Sequence, residues 1–466
     1  LIQSGVYGDL NSTVPPITVP AWMSMMTGKD PGTLGFYGLR NRADRSYSRM
    51  AIANSQLVKE DTLWDILGAA GKKVILVGVP QTYPPRPVKG CLISSFLTPG
   101  TDSDYTYPSD LKPEVERVSG GYVLDVPNFR TQDKAVLLQQ MYEMTKKRFR
   151  VTEHLMRTRP WDFIAHVEIG TDRINHAFWR FLDETHRRYE PDSIHKSAIL
   201  DYYRFIDREI GKLVELAGDD TAILLVSDHG AKRIDGGICV NEWLAKEGYL
   251  ALESSPSGPA PLEEVGVDWD RTTAWGEGGY YARIFLNVKG REPRGTVSPE
   301  AFEPLRDELA TRLAAIPDES GAEIATQVFK PQDVYETCNG VPPDLIVYFG
   351  NLLWRSVGTV GTGKIHAREN DTGPDDANHA EKGVFIARAK GFESGRKLEG
   401  LDILDVAPTV LSIMDVPVPQ DMRHHSILET TETERPKQRK ELGTEEVYSA
   451  EERAAIEDRL RALGYL

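Results

Sequence analysis

Two aspartate–histidine pairs and one later histidine are the residues of this sequence best suited to chemistry. Asp172 and His176 are four positions apart, so a helical turn would place both on one face. Asp228 and His229 are adjacent, and His379 follows in a later loop. Imidazole and carboxylate suit Zn²⁺, Mn²⁺ or Fe, and two such ions about 4 Å apart can serve phosphoryl transfer. Each pair alone is more typical of a surface ion pair or a turn, but their joint occurrence predicts a metal site.

Both pairs follow predicted strands. Trp161–Val167 and Thr221–Val226 are apolar runs of strand length, as is Lys73–Val79, and each is expected to be buried on both faces. Helices are predicted at Gln132–Thr158 and Ile199–Ala217, between the strands. This alternation predicts an α/β fold with a mostly parallel sheet and helices on both of its faces. Ligands of such sheets bind at the carboxyl ends of the strands, so the two pairs should meet there.

Thr18 lies at the predicted start of a short helix near the N-terminus. Pro15 and Pro16 favour an extended approach, Pro20 suits the first helical turn, and Gly28 ends the helix. A hydroxyl group at this position faces unpaired backbone N–H groups, which form an anion site. The local alternative is that Thr18 only caps the helix.

The composition excludes several classes of protein. The net charge of −15 disfavours a general nucleic-acid or anionic-membrane binder, although metal ions could still attract an anionic substrate. Three distant cysteines indicate neither a disulfide framework nor a cysteine zinc site. No apolar run reaches the length of a membrane span. The oligomeric state is left open.

The N-terminal residues resemble the end of a helix closed by Gly5, so we expect an upstream segment to be absent. We expect a cytoplasmic protein, while a signal peptide lost with that segment stays an alternative. The stretch Thr82–Pro127 is rich in proline, glycine and serine and is expected to be irregular.

The chain of 466 residues is long for one compact core and suggests two domains, or one large domain with insertions. We expect a catalytic core formed by residues 1–249 and 376–430. An inserted α+β cap is predicted at 250–375, where substrate choice is expected to be determined. A charged linker and a C-terminal helix are predicted within 431–466.

The ordered set of motifs resembles the alkaline phosphatase superfamily, and the most similar branch is the type I phosphodiesterase/nucleotide pyrophosphatase family. The motifs are Thr18-x-Pro, Thr27-Gly28, Asp172-x-x-x-His176, Ser227-Asp228-His229-Gly230 and the late His379. The resemblance implies an alkaline-phosphatase-like fold and hydrolysis of a small-molecule phosphoester or nucleotide. The Cys-x-Pro-x-Arg motif of sulfatases is lacking, which disfavours that branch.

The resemblance also implies a site with two divalent ions, Zn²⁺ or alternatively Mn²⁺. Asp172, His176 and His379 would hold one ion. Asp228 and His229 would hold the other, together with an aspartate from the first strand of the sheet.

Thr18 would be the nucleophile and a metal ligand that bridges the two ions. Asn41 is a weaker candidate for a donor to the phosphoryl oxygen. No buried strand ending in aspartate precedes Thr18, so the family's N-terminal strand is expected to be absent. A phosphomonoesterase or phosphomutase on the same site is an alternative. A non-catalytic metal-binding protein is the alternative of another class.

Overall fold

A computed structural model describes residues 1–368, 373–422, 424–428 and 447–462. The helices are α1 (Thr18–Thr27), α2 (Pro31–Leu34), α3 (Leu63–Ala69), α4 (Lys112–Ser119), α5 (Lys134–Thr158), α6 (Gly170–Leu182), α7 (Ala198–Ala217), α8 (Val240–Lys246), α9 (Pro299–Ala314), α10 (Pro331–Val334), α11 (Val406–Ile413) and α12 (Ala450–Ala462). In these ranges, no helix is both long enough and apolar enough to cross a membrane. Residues 431–446 of the predicted linker lie outside the described residues.

Twenty strands, several only two residues long, are present in the described part of the chain. They are β1 (Val6–Asn11), β2 (Arg40–Arg42), β3 (Met50–Ile52), β4 (Val74–Val79), β5 (Gly90–Ser94), β6 (Thr106–Tyr107), β7 (Phe163–His166), β8 (Ile223–Val226), β9 (Gly230–Arg233), β10 (Gly236–Cys239), β11 (Ala274–Glu277), β12 (Ala282–Leu286), β13 (Gln327–Phe329), β14 (Leu345–Tyr348), β15 (Trp354–Val357), β16 (His366–Ala367), β17 (Ala377–Ala380), β18 (Lys382–Arg388), β19 (Arg396–Lys397) and β20 (Leu401–Asp402). The chain therefore has the predicted α/β architecture.

One sheet has the strand order β6-β5-β4-β7. The inner strand β4 is parallel to both β5 and β7, with Leu76 opposite Leu92 on one side and Ala165 on the other. Every residue of β4 is buried, as its continuous apolar sequence predicts. The segment Thr82–Pro127, which was expected to be irregular, contains β5, β6 and α4. The sequence did not indicate these elements, because they are short and are separated by proline and glycine.

A second sheet has the order β19-β1-β18-β8, with β20 also paired to β1. Strand β18 is antiparallel to both β1 and β8. The sequence did not indicate strand β1, which precedes Thr18. The aspartate of this strand, Asp9, has an exposed side chain. Gly5 is not the predicted helix cap, because its backbone is extended at φ −148°. A Cβ atom on Gly5 would lie 2.1 Å from the carbonyl oxygen of Ala387, so the close approach of β1 and β18 requires glycine.

Strands β7 and β8 differ from the prediction of full burial. All four residues of each strand are partly exposed. The reason is that each strand lies at the end of its sheet, so that one backbone edge has no neighbouring strand among the described residues. Pattern alone does not distinguish an inner strand from such an end strand.

A separate apolar cluster packs a third sheet of order β11-β12-β14-β13 against α9. Trp275, Phe285 and Leu309 are among its buried residues. The division of the chain into a core and a cap at residues 250–375 stays a prediction. Helix α12 packs on the main core through Ile456 and Leu460.

Candidate active site

Thr18 is the first residue of α1, as predicted. Ile17 before it is extended, and the helix ends at Gly28, whose φ of 66° is left-handed. Thr18 lines a cavity together with Asp172 and Asp228, and only 8% of its surface is exposed. The helix thus contributes a hydroxyl group, at its positive N-terminal end, to the cavity that the two aspartates also line.

Asp172, His176 and His379 form a compact cluster of donor atoms. Asp172 and His176 share one face of α6, and the carboxylate Oδ1 lies 3.3 Å from His176 Nε2. The same oxygen is 3.6 Å from Nε2 of His379, which lies on β17. One atom from each residue can be chosen so that all three lie within 4.8 Å of one another. Two imidazoles and one carboxylate form a donor set that suits Zn²⁺.

Asp228 and His229 follow β8, and their side chains are 3.2 Å apart between Oδ2 and Nε2. The His229 ring stacks on the His379 ring, with 3.7 Å between the ring centroids. The structure therefore brings the second pair against the first cluster. The Ser12 hydroxyl donates a hydrogen bond to the Asp228 backbone carbonyl at 2.5 Å.

Backbone contacts select the tautomers of two of the histidines. His379 Nδ1 lies 2.8 Å from the Pro16 carbonyl oxygen, and His229 Nδ1 lies 2.9 Å from that of Gly230. A carbonyl oxygen can only accept, so Nδ1 of each ring carries the proton. Nε2 then has the lone pair that binds a metal ion.

Asp375 fixes the third histidine, and the sequence reasoning did not identify it. Its carboxylate accepts hydrogen bonds from His176 Nδ1 at 2.9 Å and from the Tyr280 hydroxyl at 3.1 Å. Arg130 Nη1 lies 2.7 Å from the same carboxylate. An acidic residue four positions before His379 was the available signal.

The electrostatic environment favours a cation. Burial raises the pKa of Asp172, but His176 and Arg173 outweigh burial and hold this pKa well below its usual value. Burial raises the pKa of Asp228 to about 6. Burial and the neighbouring His229 hold the pKa of His379 well below its usual value, so this ring is neutral at pH 7.

His176 has the opposite shift. Burial lowers its pKa, but the carboxylates of Asp172 and Asp375 outweigh burial and raise it to about 9. A divalent ion at Nε2 would replace that proton, because metal binding requires the neutral ring.

Asn41 makes two local hydrogen bonds at the start of β2. Its side-chain oxygen accepts from the Tyr37 backbone N–H at 2.7 Å, and its nitrogen donates to the Gly38 carbonyl at 3.0 Å. The side chain therefore closes the loop before β2. A contact with substrate stays a prediction.

Comparisons with known proteins show similarity to one family and to several solved structures. The family model described as type I phosphodiesterase / nucleotide pyrophosphatase matches residues 1–375. A comparison with curated proteins gave no significant match. Human ectonucleotide pyrophosphatase/phosphodiesterase 5 is similar in structure, with a TM-score of 0.52, 14% identity and coverage of 90% of each chain.

Two further solved structures have comparable similarity. An inactive threonine-to-alanine variant of the murine ectonucleotide pyrophosphatase/phosphodiesterase 5, in complex with AMP, has a TM-score of 0.51, 12% identity and coverage of 90% of each chain. Phosphonoacetate hydrolase from Sinorhizobium meliloti 1021, in complex with phosphonoformate, has a TM-score of 0.52 and 16% identity. The match to this enzyme covers 88% of this chain and 86% of the enzyme.

Proposed function

Because the chain belongs to the type I phosphodiesterase / nucleotide pyrophosphatase family and is a phosphoester hydrolase of that type, we propose that it cleaves phosphodiesters or nucleotide pyrophosphates with Thr18 as nucleophile. The observation that carries this proposal is that Thr18 lines one cavity with Asp172, Asp228 and His229. A hydroxyl group, a helix N-terminus and metal donors at one place suit the displacement of an oxygen from phosphorus.

We assign two divalent ions, with Zn²⁺ as the first choice. Asp172, His176 and His379 would hold one ion, and Asp228 and His229 would contribute to the other. When bound, the ions supply positive charge that lowers the pKa of the threonine hydroxyl and stabilises charge on the phosphoryl oxygens.

The reaction then has two displacements. Thr18 loses its hydroxyl proton to solvent, its Oγ forms a bond to phosphorus, and the bond to the departing oxygen breaks. Water attacks the resulting phosphothreonine, releases the phosphoryl product and restores the hydroxyl group. The N–H groups at the start of α1 are placed to stabilise the oxygen charge that develops in both steps. The AMP complex and the inactive threonine-to-alanine variant of the murine neighbour support a threonine-dependent reaction on a phosphate ester in this fold.

The test compares Thr18→Ala with Thr18→Ser in the hydrolysis of bis-p-nitrophenyl phosphate with added Zn²⁺. Loss of the nucleophile should reduce kcat by about 1000-fold or more, whereas serine keeps a hydroxyl group and should retain part of the activity. Zinc content should be unchanged in both variants, because Thr18 is not needed to hold either ion. Substantial activity of Thr18→Ala would exclude the nucleophile assignment.

The same assay separates the alternatives. Faster hydrolysis of p-nitrophenyl phosphate than of the diester would favour the phosphomonoesterase hypothesis. Thermal stabilisation by Zn²⁺ without hydrolysis of either ester would favour the hypothesis of a non-catalytic metal-binding protein.

A further inference from the structure

Helix α12 lies beyond residues 1–375, which the family model matches, yet it is docked on the main core. Ile456 and Leu460, one turn apart on its inner face, are both fully buried there. Next to Leu460, the Arg459 side chain reaches the loop that follows β5. We propose that Arg459 is a positioning residue of the candidate active site, which acts through this loop and Arg173 on the metal donor Asp172. This proposal rests on the metal site that the proposed function assigns.

The guanidinium group of Arg459 donates hydrogen bonds to three backbone carbonyl groups of the loop after β5. Its Nη1 lies 2.6 Å from the Phe96 oxygen and 2.5 Å from the Thr98 oxygen, and its Nη2 lies 2.8 Å from the Pro99 oxygen. Phe96 and Thr98 are buried. Buried carbonyl groups need a donor, and a planar group with several N–H bonds can serve three of them at once. Arg459 therefore fixes the path of this loop.

The loop held in this way carries the Phe96 ring to the side chain of Arg173. The guanidinium carbon of Arg173 lies 5.8 Å from the centre of the Phe96 ring and 5.5 Å from that of the Phe129 ring. A guanidinium group at such a distance is attracted by the face of an aromatic ring. Asp125 binds the same group through two hydrogen bonds, of 3.1 Å to Nε and 2.7 Å to Nη2. These neighbours together set the position of the buried Arg173 side chain.

Arg173 leaves one oxygen of the Asp172 carboxylate for a metal ion. Its Nη1 donates to Oδ2 of Asp172 at 2.5 Å. The other oxygen, Oδ1, is the one that lies 3.3 Å from His176 Nε2 and 3.6 Å from His379 Nε2. A charge-assisted hydrogen bond to Oδ2 fixes the rotation of the carboxylate, and such orienting partners strengthen metal binding. The loop that Arg459 holds thus acts on this carboxylate through Arg173.

Two guanidinium groups, those of Arg459 and Arg173, lie near the single carboxylate of Asp125. Burial lowers the pKa of Arg459, Asp125 opposes this shift, and the like charge of Arg173 adds to it. If Arg459 acted only by its charge, its removal would strengthen the binding of a nearby cation, because one repulsive charge is lost. Loss of the orienting contacts would weaken the same binding. The two effects have opposite signs, so zinc affinity distinguishes them.

The experiment measures the Zn²⁺ affinity of the site that contains Asp172, in the full chain, by competition with a zinc-binding dye. Arg459→Met keeps an unbranched apolar side chain and removes the donors to the loop. Its affinity should fall by about three- to tenfold, less than the ~10–100-fold that loss of a direct orienting partner costs. Arg461→Met is the matched control on α12, because the Arg461 side chain is 51% exposed and lies 3.8 Å from Asp458. Its affinity should equal that of the parent chain.

Two further variants separate positioning from charge and from stability. Arg459→Lys keeps the charge and part of the hydrogen bonding, so zinc affinity should fall by only about twofold. In the Arg173→Met background, Arg459→Met should cause no further loss, since both residues act through one path. A residue that only stabilised the fold would lower the melting temperature in both backgrounds and leave the zinc affinity of the folded chain unchanged.

Three results would overturn the proposal. They are an unchanged or higher zinc affinity in Arg459→Met, equal losses in Arg459→Met and Arg461→Met, and an undiminished loss in the Arg173→Met background. If Arg459→Met does not fold, an affinity of Arg459→Lys equal to that of the parent chain overturns it instead.

Failure of the proposed function gives different results. A parent chain that binds no Zn²⁺ would contradict the metal assignment and, with it, the positioning role. Tight zinc binding that the Arg459 variants leave unchanged contradicts the positioning role alone. The nucleophile assignment is tested separately by the kcat of Thr18→Ala.

Discussion

The Asp172–His176 pair and the Asp228–His229 pair have the same chemistry but different surroundings. The first pair gains a third donor from His379, and Asp375 orients the His176 ring. Among the described residues, no comparable group of three His, Cys, Asp or Glu donors forms around the second pair. Asp172 is also held by Arg173, whose Nη1 lies 2.5 Å from its carboxylate.

The difference lies in how many elements converge on each pair. The first pair lies on α6, where the β17 strand and the loop before it approach. The second pair follows β8, whose edge away from β18 borders the cavity that Thr18 also lines. A site with three oriented donors should bind a divalent ion more tightly than a site with two. We therefore expect two unequal metal sites.

Substitution of the aspartates is expected to change the zinc affinities of the two pairs most. Asp172→Asn should weaken the tighter zinc site by more than the ~10–100-fold that loss of an orienting partner typically costs. Asp228→Asn should leave the tighter site nearly unchanged, since Asp228 belongs to the other pair. Competition with a zinc-binding dye measures both affinities. Equal losses in the two variants would mean that the pairs form one site.

Asp375→Asn should have the next largest effect. The amide no longer attracts the proton on His176 Nδ1, so zinc affinity of the tighter site should fall by about 10–100-fold. Asp376→Asn is the matched control, because its carboxylate faces Arg180, 3.7 Å away, and not the His176 ring. An unchanged affinity in Asp375→Asn would remove Asp375 from the supporting network.

Tyr280→Phe should have the smallest effect. It removes the hydrogen bond to Asp375 and the two longer contacts of the same hydroxyl, with Arg130 Nη2 at 3.3 Å and His176 Nδ1 at 3.4 Å. Asp375 retains its own contacts with His176 and Arg130. We expect about a threefold weakening of the tighter site, close to the value of one hydrogen bond. Tyr281→Phe is the control, since that hydroxyl donates to the Tyr37 carbonyl. Equal effects of the two variants would indicate a general loss of packing.

The sequence could predict those parts of the site that depend on local pattern. The α1 helix from Thr18 to Gly28 and the i, i+4 relation of Asp172 and His176 follow from such patterns. Asp375 was missed because it reaches His176 across 199 positions of the chain. An i, i+4 pattern carries no information about such a contact.

The sheets show the same limit. Apolar runs correctly predicted β4, β7 and β8 as strands, because burial selects such sequences. The runs did not indicate that β7 and β8 each end a sheet, since the number of neighbours depends on topology. Strand β1 was missed because glycine and alternating polar residues weaken its apolar pattern.

The most direct test of two unequal sites is a calorimetric titration of the metal-free chain with Zn²⁺, repeated on His379→Ala and His229→Ala. We expect two binding events per chain, with the tighter one weakened strongly only in His379→Ala and the weaker one only in His229→Ala. A single event that both variants weaken equally would contradict the account.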